Sequence, residues 1–401
     1  MKKIISLILV MCFALGCLAA CGSTAETTET IAPEVTDEVI ETVVDEVPAI
    51  EIQEVDFDKL YAAVDPQTVV MTVDGNDITW DEYFYMVYAG CQEIMSYFST
   101  MASYYGIAIN WGDSMGEGYN MTYADYVSKG VENSLISLMT ISGNAAANKV
   151  ELSQENLDAI AAQLQNDILY MCGENATEED FNQSLKNMYM TRVTYDKINR
   201  INYLYQEAFV QIFGAVGEKV SDEDAIKYLE DNGYMSSDHI LLATIDLSTQ
   251  QPLEDSVIAE KKAQAEEIVA TLSAIKDKDK LLEKFAELKN QYTEDTGAAY
   301  YPNGYIFTSG KMVPEFEEAT KSQADYEVSG IVESSYGYHI IMTLPLDPDA
   351  TVEYSSEGTA MNARMMFANN AYGEMLDKYA AAIEIQYAEG FVMPSLLDYL
   401  K

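Results

Sequence analysis

Between Pro66 and Pro252 the chain contains no proline. Proline removes a backbone donor and clashes inside a helix, so a proline-free stretch of this length with apolar residues at helical spacing predicts a succession of helices. The stretch opens with Val69-Val70-Met71-Thr72-Val73-Asp74-Gly75-Asn76-Asp77-Ile78, which reads as a short strand and a turn around Asp74-Gly75. Thr79-Trp80-Asp81-Glu82 then has capping-box spacing, in which the Thr oxygen takes an orphan amide and the Glu reaches back. A helix carrying Tyr83, Tyr88, Ile94, Met95 and Phe98 is expected from there. Further amphipathic helices are predicted at about 123–148, 153–172, 177–213 and 221–232, the last opening with the box-like Ser221-Asp222-Glu223-Asp224.

After Met235 the texture changes. Ser237 to Ala243 reads as a strand, 257–272 and 279–292 as helices, and Gly304 to Phe307 as a short strand. A helix over 313–319 and two closing strands over 329–332 and 338–344 complete the order β-α-α-β-α-β-β, an α+β sheet of ordinary domain size. Beyond Pro345 and Pro348, residues 362–379 read as a helix that packs back on the first helical domain. The expected domains are 1–20, 21–58, 59–234, 235–346 and 347–401.

The N-terminus carries an export signal. Lys2 and Lys3 precede an apolar run from Ile4 to Val10 that continues through Phe13 and Leu15, the layout of a secretory signal peptide. Leu18-Ala19-Ala20-Cys21-Gly22 resembles the lipobox of bacterial lipoproteins, which implies cleavage before Cys21 and a lipid on its sulfur; a plain signal peptide or uncleaved anchor is the other reading. From Gly22 to Asp58 there are twelve acidic residues and no Lys or Arg. Such a segment cannot bury enough apolar surface to offset its ordering entropy, so it is expected to be an extended, disordered tether. Cys91 and Cys172 could form one disulfide, but two separate buried thiols are the simpler reading, and neither is assigned a redox or metal role.

Charge restricts the partners. With 66 acidic residues against 23 Lys plus Arg, the net charge of the 401-residue chain is −43. Phosphate backbones are held by clustered Lys and Arg, so nucleic acid is excluded as a natural partner, and docking to anionic lipid through a basic patch is disfavoured. At 48% hydrophobic and 11% aromatic residues, most of the chain should nevertheless fold. No EF-hand loop or His/Cys cluster marks a metal site, and no cofactor is expected.

Several segments of 236–344 together carry a family likeness. They are Ser237-Asp238-His239-Ile240-Leu241, Tyr292-Thr293-Glu294-Asp295-Thr296, Gly310-Lys311-Met312-Val313-Pro314-Glu315-Phe316-Glu317-Glu318-Ala319, Glu327-Val328-Ser329 and Tyr336-Gly337-Tyr338-His339-Ile340-Ile341. In this order and spacing the region resembles the parvulin class of peptidyl-prolyl isomerases. The helical part resembles the chaperone domain of PrsA and SurA type foldases, and with the lipobox the whole is similar to PrsA-like foldase lipoproteins. The resemblance implies an α+β protein: a mostly helical chaperone domain with an inserted parvulin-like domain, a four-stranded antiparallel sheet with surrounding helices. It further implies unfolded exported polypeptides with X-Pro bonds as clients, the outer face of the bacterial cell membrane as location, and allows a homodimer.

Residue by residue, the resemblance makes His239 and His339 the family's paired histidines behind the proline site. It puts Asp295 where the family has Cys or Asp beside the peptide carbonyl, and Met312 and Phe316 at the apolar grip on the proline ring. Met312 and Phe316 are four apart and so share one face of a helix; a core stripe is the structural reading of the same spacing, and Asp295 could equally cap a turn with Thr296. The chemistry needs no covalent intermediate. An X-Pro bond faces a barrier of about 18 to 20 kcal/mol with little cis/trans bias, and an apolar pocket that favours the twisted amide lowers it. Parvulins commonly carry a Gly-Gly-Asp-Leu-Gly type segment where this chain has Tyr301-Pro302-Asn303-Gly304-Tyr305-Ile306-Phe307, so one wall is either missing or rebuilt by a tyrosine. The loop from Ala243 to Val257 has no Lys or Arg, and no phosphopeptide preference is expected. Two other functions remain open from sequence. One is a non-catalytic holdase with a vestigial parvulin domain, its 29 tyrosines and 20 methionines forming an adaptable surface; the other is a solute-binding lipoprotein.

Overall fold

A computed structural model describes residues 50–116 and 118–401; the signal segment, Cys21 and most of the expected tether lie outside the described residues. The chain is α+β and divides into two compact units, one comprising residues up to Ala208 with Gly373–Lys401, the other Phe209–Tyr372.

The first unit is built on helices. α1 (Phe57–Tyr61) is capped by Asp56, whose carboxylate accepts from Lys59 N. The tether, expected to run to Asp58, therefore gives way earlier: Val55 is buried and bridges Leu400, and Asp56 N donates to Tyr399 O at 2.7 Å. β1 (Val69–Val73) and β2 (Asn76–Thr79) form a hairpin in which Asp74 and Gly75 both have positive φ, the backbone a two-residue turn between twisted strands demands. β9 (Ile385–Tyr387) pairs with the other edge of β1. α2 (Trp80–Tyr105) starts at the expected cap, but Glu82 does not reach back; its carboxylate is 2.6 Å from Lys197 Nζ. α3 (Tyr123–Ala147) has a complete capping box between Thr122 and Asp125. Trp80, Phe84, Phe98, Trp111, Leu135 and Ile141 are among the side chains that fill the core between these helices.

α4 (Gln154–Cys172) follows as expected, but the single helix expected over 177–213 is two, α5 (Glu178–Asn187) and α6 (Arg192–Phe213). Tyr189, at φ 57°, breaks the run; its ring packs against Phe84 and Tyr88, and its hydroxyl donates to Asp58 at 2.6 Å. Cys91 is buried and Cys172 half-buried, both free thiols. Among the described residues no helix is long and apolar enough to cross a membrane.

The second unit continues with α7 (Asp222–Asp231), β3 (Tyr234–Ala243), α8 (Asp255–Ser273), α9 (Lys278–Tyr292), β4 (Tyr305–Thr308), α10 (Pro314–Ser322), β5 (Val332–Glu333) and β6 (Gly337–Leu344). The sheet is antiparallel in the order β4-β3-β6-β5. The strand expected at 329–332 is displaced to Val332–Glu333; Ser329 N still donates to Ile341 O at 2.8 Å, but Ile341 N donates to the Ser329 hydroxyl oxygen at 2.9 Å rather than to a backbone carbonyl, which interrupts the regular ladder there. After Pro348, where only a helix was expected, a hairpin of β7 (Thr351–Tyr354) and β8 (Ala360–Asn362) precedes α11 (Ala363–Ala382).

Candidate functional site

β3 and β6 are the central pair of the sheet, with His239 opposite Ile341 and Leu241 opposite His339. Successive side chains of a strand point to opposite faces. One face therefore carries Ile240, Leu242, Ile340 and Met342, which pack with Ala265 and Ile268 of α8 and Phe285 and Leu288 of α9. On that side Lys289 Nζ sits 2.7 Å from Asp238 and so ties α9 to β3. The opposite face carries Ser237, His239, His339, Ile341 and Thr343, and the candidate site is built there.

His239 and His339 are diagonal neighbours across the pair, a spacing within reach of ring side chains. Their rings stack 5.2 Å apart at 15°, with the two Nδ1 atoms 3.0 Å apart. Asp295 is delivered by an irregular segment. β4 pairs with β3 only as far as Ser237, which leaves the rest of that edge open. Thr293 and Glu294 fill it: Leu241 N donates to Thr293 Oγ1 at 3.2 Å, Glu294 N to Leu241 O at 2.9 Å, and Ala243 N to Glu294 Oε2 at 2.7 Å. The next residue, Asp295, is thereby set against His239, with Oδ2 3.0 Å from Nε2. Its other oxygen accepts from Gly297 N at 2.9 Å, so Asp295 caps the following turn and at the same time faces His239. The Tyr305 hydroxyl also donates to Oδ2.

Burial opposes the charge on Asp295, but the hydrogen bonds from His239 and Tyr305 outweigh it and hold the carboxyl at about 2. Burial, with the neighbouring His239 ring, pushes His339 down to about 4. An ionised carboxylate only accepts, so His239 donates through Nε2. In a neutral His239 the Nδ1 is then the acceptor, His339 donates through its own Nδ1, and His339 Nε2 accepts from the Ser334 hydroxyl at 2.7 Å. The hydrogen bonds run in one direction, from Ser334 through both histidines to Asp295.

Against this network lies an apolar wall. Phe316, 2% exposed, presents its ring edge-on to His239 at 5.1 Å and to His339 at 5.7 Å, and Phe307 and Ile341 complete the cluster. Met312 packs on it half-buried, but not from the expected helical face: α10 begins at Pro314, so Met312 belongs to the preceding loop. Glu317 holds that loop, its Oε1 accepting from the amides of Gly310, Lys311 and Met312 at 2.6, 3.1 and 3.2 Å. The structure thus brings His239, Asp295, Met312, Phe316 and His339 together.

Sequence reasoning missed Phe307, Ser334 and Glu317, and foresaw Tyr305 only as a tyrosine that could rebuild the wall. The alternation of β4 carried a signal for two of them, since residues 305 and 307 share the face that 306 does not. A separate cleft of about 470 Å³ is lined by Glu218, Asp222, Asp349 and Arg364, among others. Arg364 already donates there to Asp349 at 2.7 Å and Val220 O at 2.6 Å, and none of the groups just described reaches it. Among the described residues no group of three or more His, Cys, Asp or Glu could hold a metal ion.

Residues 239–344 match the rotamase family of PPIC-type PPIase domains, and the chain carries a domain of that class. Relatives extend the likeness. The Foldase protein PrsA of Oceanobacillus iheyensis is 28% identical over 197 residues, covering 48% of this chain and 55% of that protein. The Foldase protein PrsA 1 of Bacillus cereus is 46% identical over 74 residues, covering 18% and 26%. The chain spans about half the length of the first of these relatives. The crystal structure of PrsA from Bacillus subtilis, 19% identical, covers 68% of this chain and 93% of that chain at a TM-score of 0.24.

Proposed function

We propose that the protein is a foldase that catalyses cis/trans isomerisation of X-Pro bonds in unfolded, exported polypeptides. The observation that carries this reading is the buried His239–His339 pair, tied to Asp295 and walled by Phe316, Phe307 and Met312. In this reading the apolar wall takes the proline ring and the hydrogen-bonded network backs it with a fixed polar surface beside the peptide carbonyl. A rigid site of this kind binds the twisted amide better than either planar form, which is the whole of the catalysis required. Asp295 acts in its ionised state as an orienting acceptor, not as an acid. Anchoring to the outer face of the membrane through a lipid on Cys21 is part of the proposal and rests on the lipobox. A homodimer rests on the family resemblance alone.

The test is refolding of a client protein limited by a non-native prolyl bond, whose slow phase lasts tens of seconds unaided. The full chain should accelerate that phase at substoichiometric concentration. Suppressed aggregation with an unchanged slow phase would instead favour the holdase reading.

A further inference from the structure

The tyrosine that rebuilds the wall of the site does not end there. From Tyr305 the aromatic run continues to Tyr301 at 4.9 Å, to Tyr354 of β7 at 5.8 Å and to Tyr300 at 6.1 Å between ring centroids. At its inner end Tyr305 meets the His239 ring at 5.8 Å, so the strip is continuous with the proposed proline site. Two of the hydroxyls are committed, Tyr305 to Asp295 and Tyr354 to the Tyr300 carbonyl at 2.9 Å, which fixes those rings. Rings meant for a core would be covered, but Tyr300 is 63% and Tyr354 38% exposed.

The strip also has charge beside it: Lys289 Nζ, which donates to Pro302 O at 3.1 Å, is already paired with Asp238. Glu353 is exposed beside Tyr354 and makes no ion pair among the described residues. Burial, then Tyr354 and Glu353, raise the pKa of Tyr301, which sets the Glu353 carboxylate within electrostatic reach of that ring. Tyrosine faces attract cations, Arg above all, and an unpaired carboxylate beside them adds to the selection.

We propose that Tyr300, Tyr301 and Tyr354 form a subsite for an Arg or Lys side chain of the client, two to four residues from its proline, with Glu353 as the counter-charge. The spacing follows from about 3.3 Å of extended chain per residue along the strip. The inference rests on the isomerase reading and names the client chemistry of that site: cationic, unfolded segments, in keeping with a chain of net charge −43.

The experiment uses the full chain and three fluorescein-labelled peptides with one X-Pro bond and Arg, norleucine or Glu three residues from the proline, on either side. Anisotropy gives affinity, and exchange NMR on the same peptides gives isomerisation. The Arg peptide should bind roughly fivefold more tightly than the norleucine peptide. Glu353→Gln should reduce that preference and Tyr301→Leu with Tyr354→Leu should abolish it, whereas Tyr354→Phe, which keeps the ring, should retain it. Equal affinities for Arg and norleucine, or a preference that survives in a folded leucine double variant, would overturn the subsite. The two readings separate cleanly. Isomerisation without Arg preference removes the subsite alone; an Arg preference lost in the variants, without isomerisation of any peptide, supports the subsite and removes the isomerase.

Discussion

His339 is the residue whose ionisation the fold alters with most consequence. Its pKa lies at about 4 in the folded chain against about 6.5 unfolded. In that interval the unfolded state binds more protons than the folded one, so stability falls as pH falls. The contribution is complete above about pH 6.5 and lost by about pH 4, on the order of 3 kcal/mol for a shift of this size. Asp295, held at about 2 by its hydrogen bonds, adds a second loss only below about pH 4. Urea unfolding at pH 7 and pH 5 should therefore show a steeper loss in wild type than in His339→Gln; equal slopes would contradict the depressed histidine. Gly297, whose amide donates to Asp295, bears on the same network. A Cβ there would stand 2.3 Å from the Tyr305 hydroxyl, so Gly297→Ala should push that hydroxyl off Asp295. The expected result is a changed environment of both histidine rings in NMR, with the sheet intact.

At the scale of elements, positions are held by close backbone approach. Gly337 has φ 144°, and a Cβ would lie 2.3 Å from Leu242 O, inside the β3–β6 pairing that sets the two histidines side by side. Gly337→Ala should cost about 2 to 4 kcal/mol by chemical denaturation, because neither strand can retreat without opening the ladder. Glu317 plays the corresponding part for the Met312 loop. Glu317→Ala should raise amide exchange at residues 310–312 and cost about 1 to 3 kcal/mol, since three amides lose their acceptor. These elements also show what a sequence makes legible. Strand β3 and helices α8 and α9 could be read because period-two and helical patterns are local; the pairing of His239 with His339, one hundred residues apart, comes only from the family resemblance of the segments that carry them. The shared helical face read from the i, i+4 spacing of Met312 and Phe316 conflicts with the expected helix over 313–319, which leaves residue 312 outside, and Pro314 at the first helical position resolves that conflict in favour of the loop. The break at Tyr189 was hidden because its ring serves the core as a helical residue would, and only its φ differs. Glu317 and Ser334 act through backbone amides and a ring nitrogen, partners that no residue pattern records.

For the whole molecule, the proposed function implies that charge governs how clients arrive and that the site governs what happens to them. A chain of net charge −43 attracts cationic unfolded segments at long range, and salt screens that attraction over about 8 to 10 Å. Client association should slow several-fold between about 0.05 and 0.5 M salt, while the isomerisation rate at saturating client stays the same, because the apolar wall carries no net charge. A salt-dependent rate at saturation would argue that charged groups take part in the bond rotation itself.

Exchange NMR on an unphosphorylated X-Pro peptide, with the full chain as wild type and as Met312→Ala with Phe316→Leu, reaches the central claim most directly. Leucine at 316 keeps most of the buried volume, so the variant should fold. Wild type should accelerate cis/trans exchange at substoichiometric concentration, and the folded variant should lose at least tenfold of that acceleration, roughly 1.4 kcal/mol of transition-state binding. An equal rate in the folded variant, or no acceleration by wild type, would contradict the proline pocket.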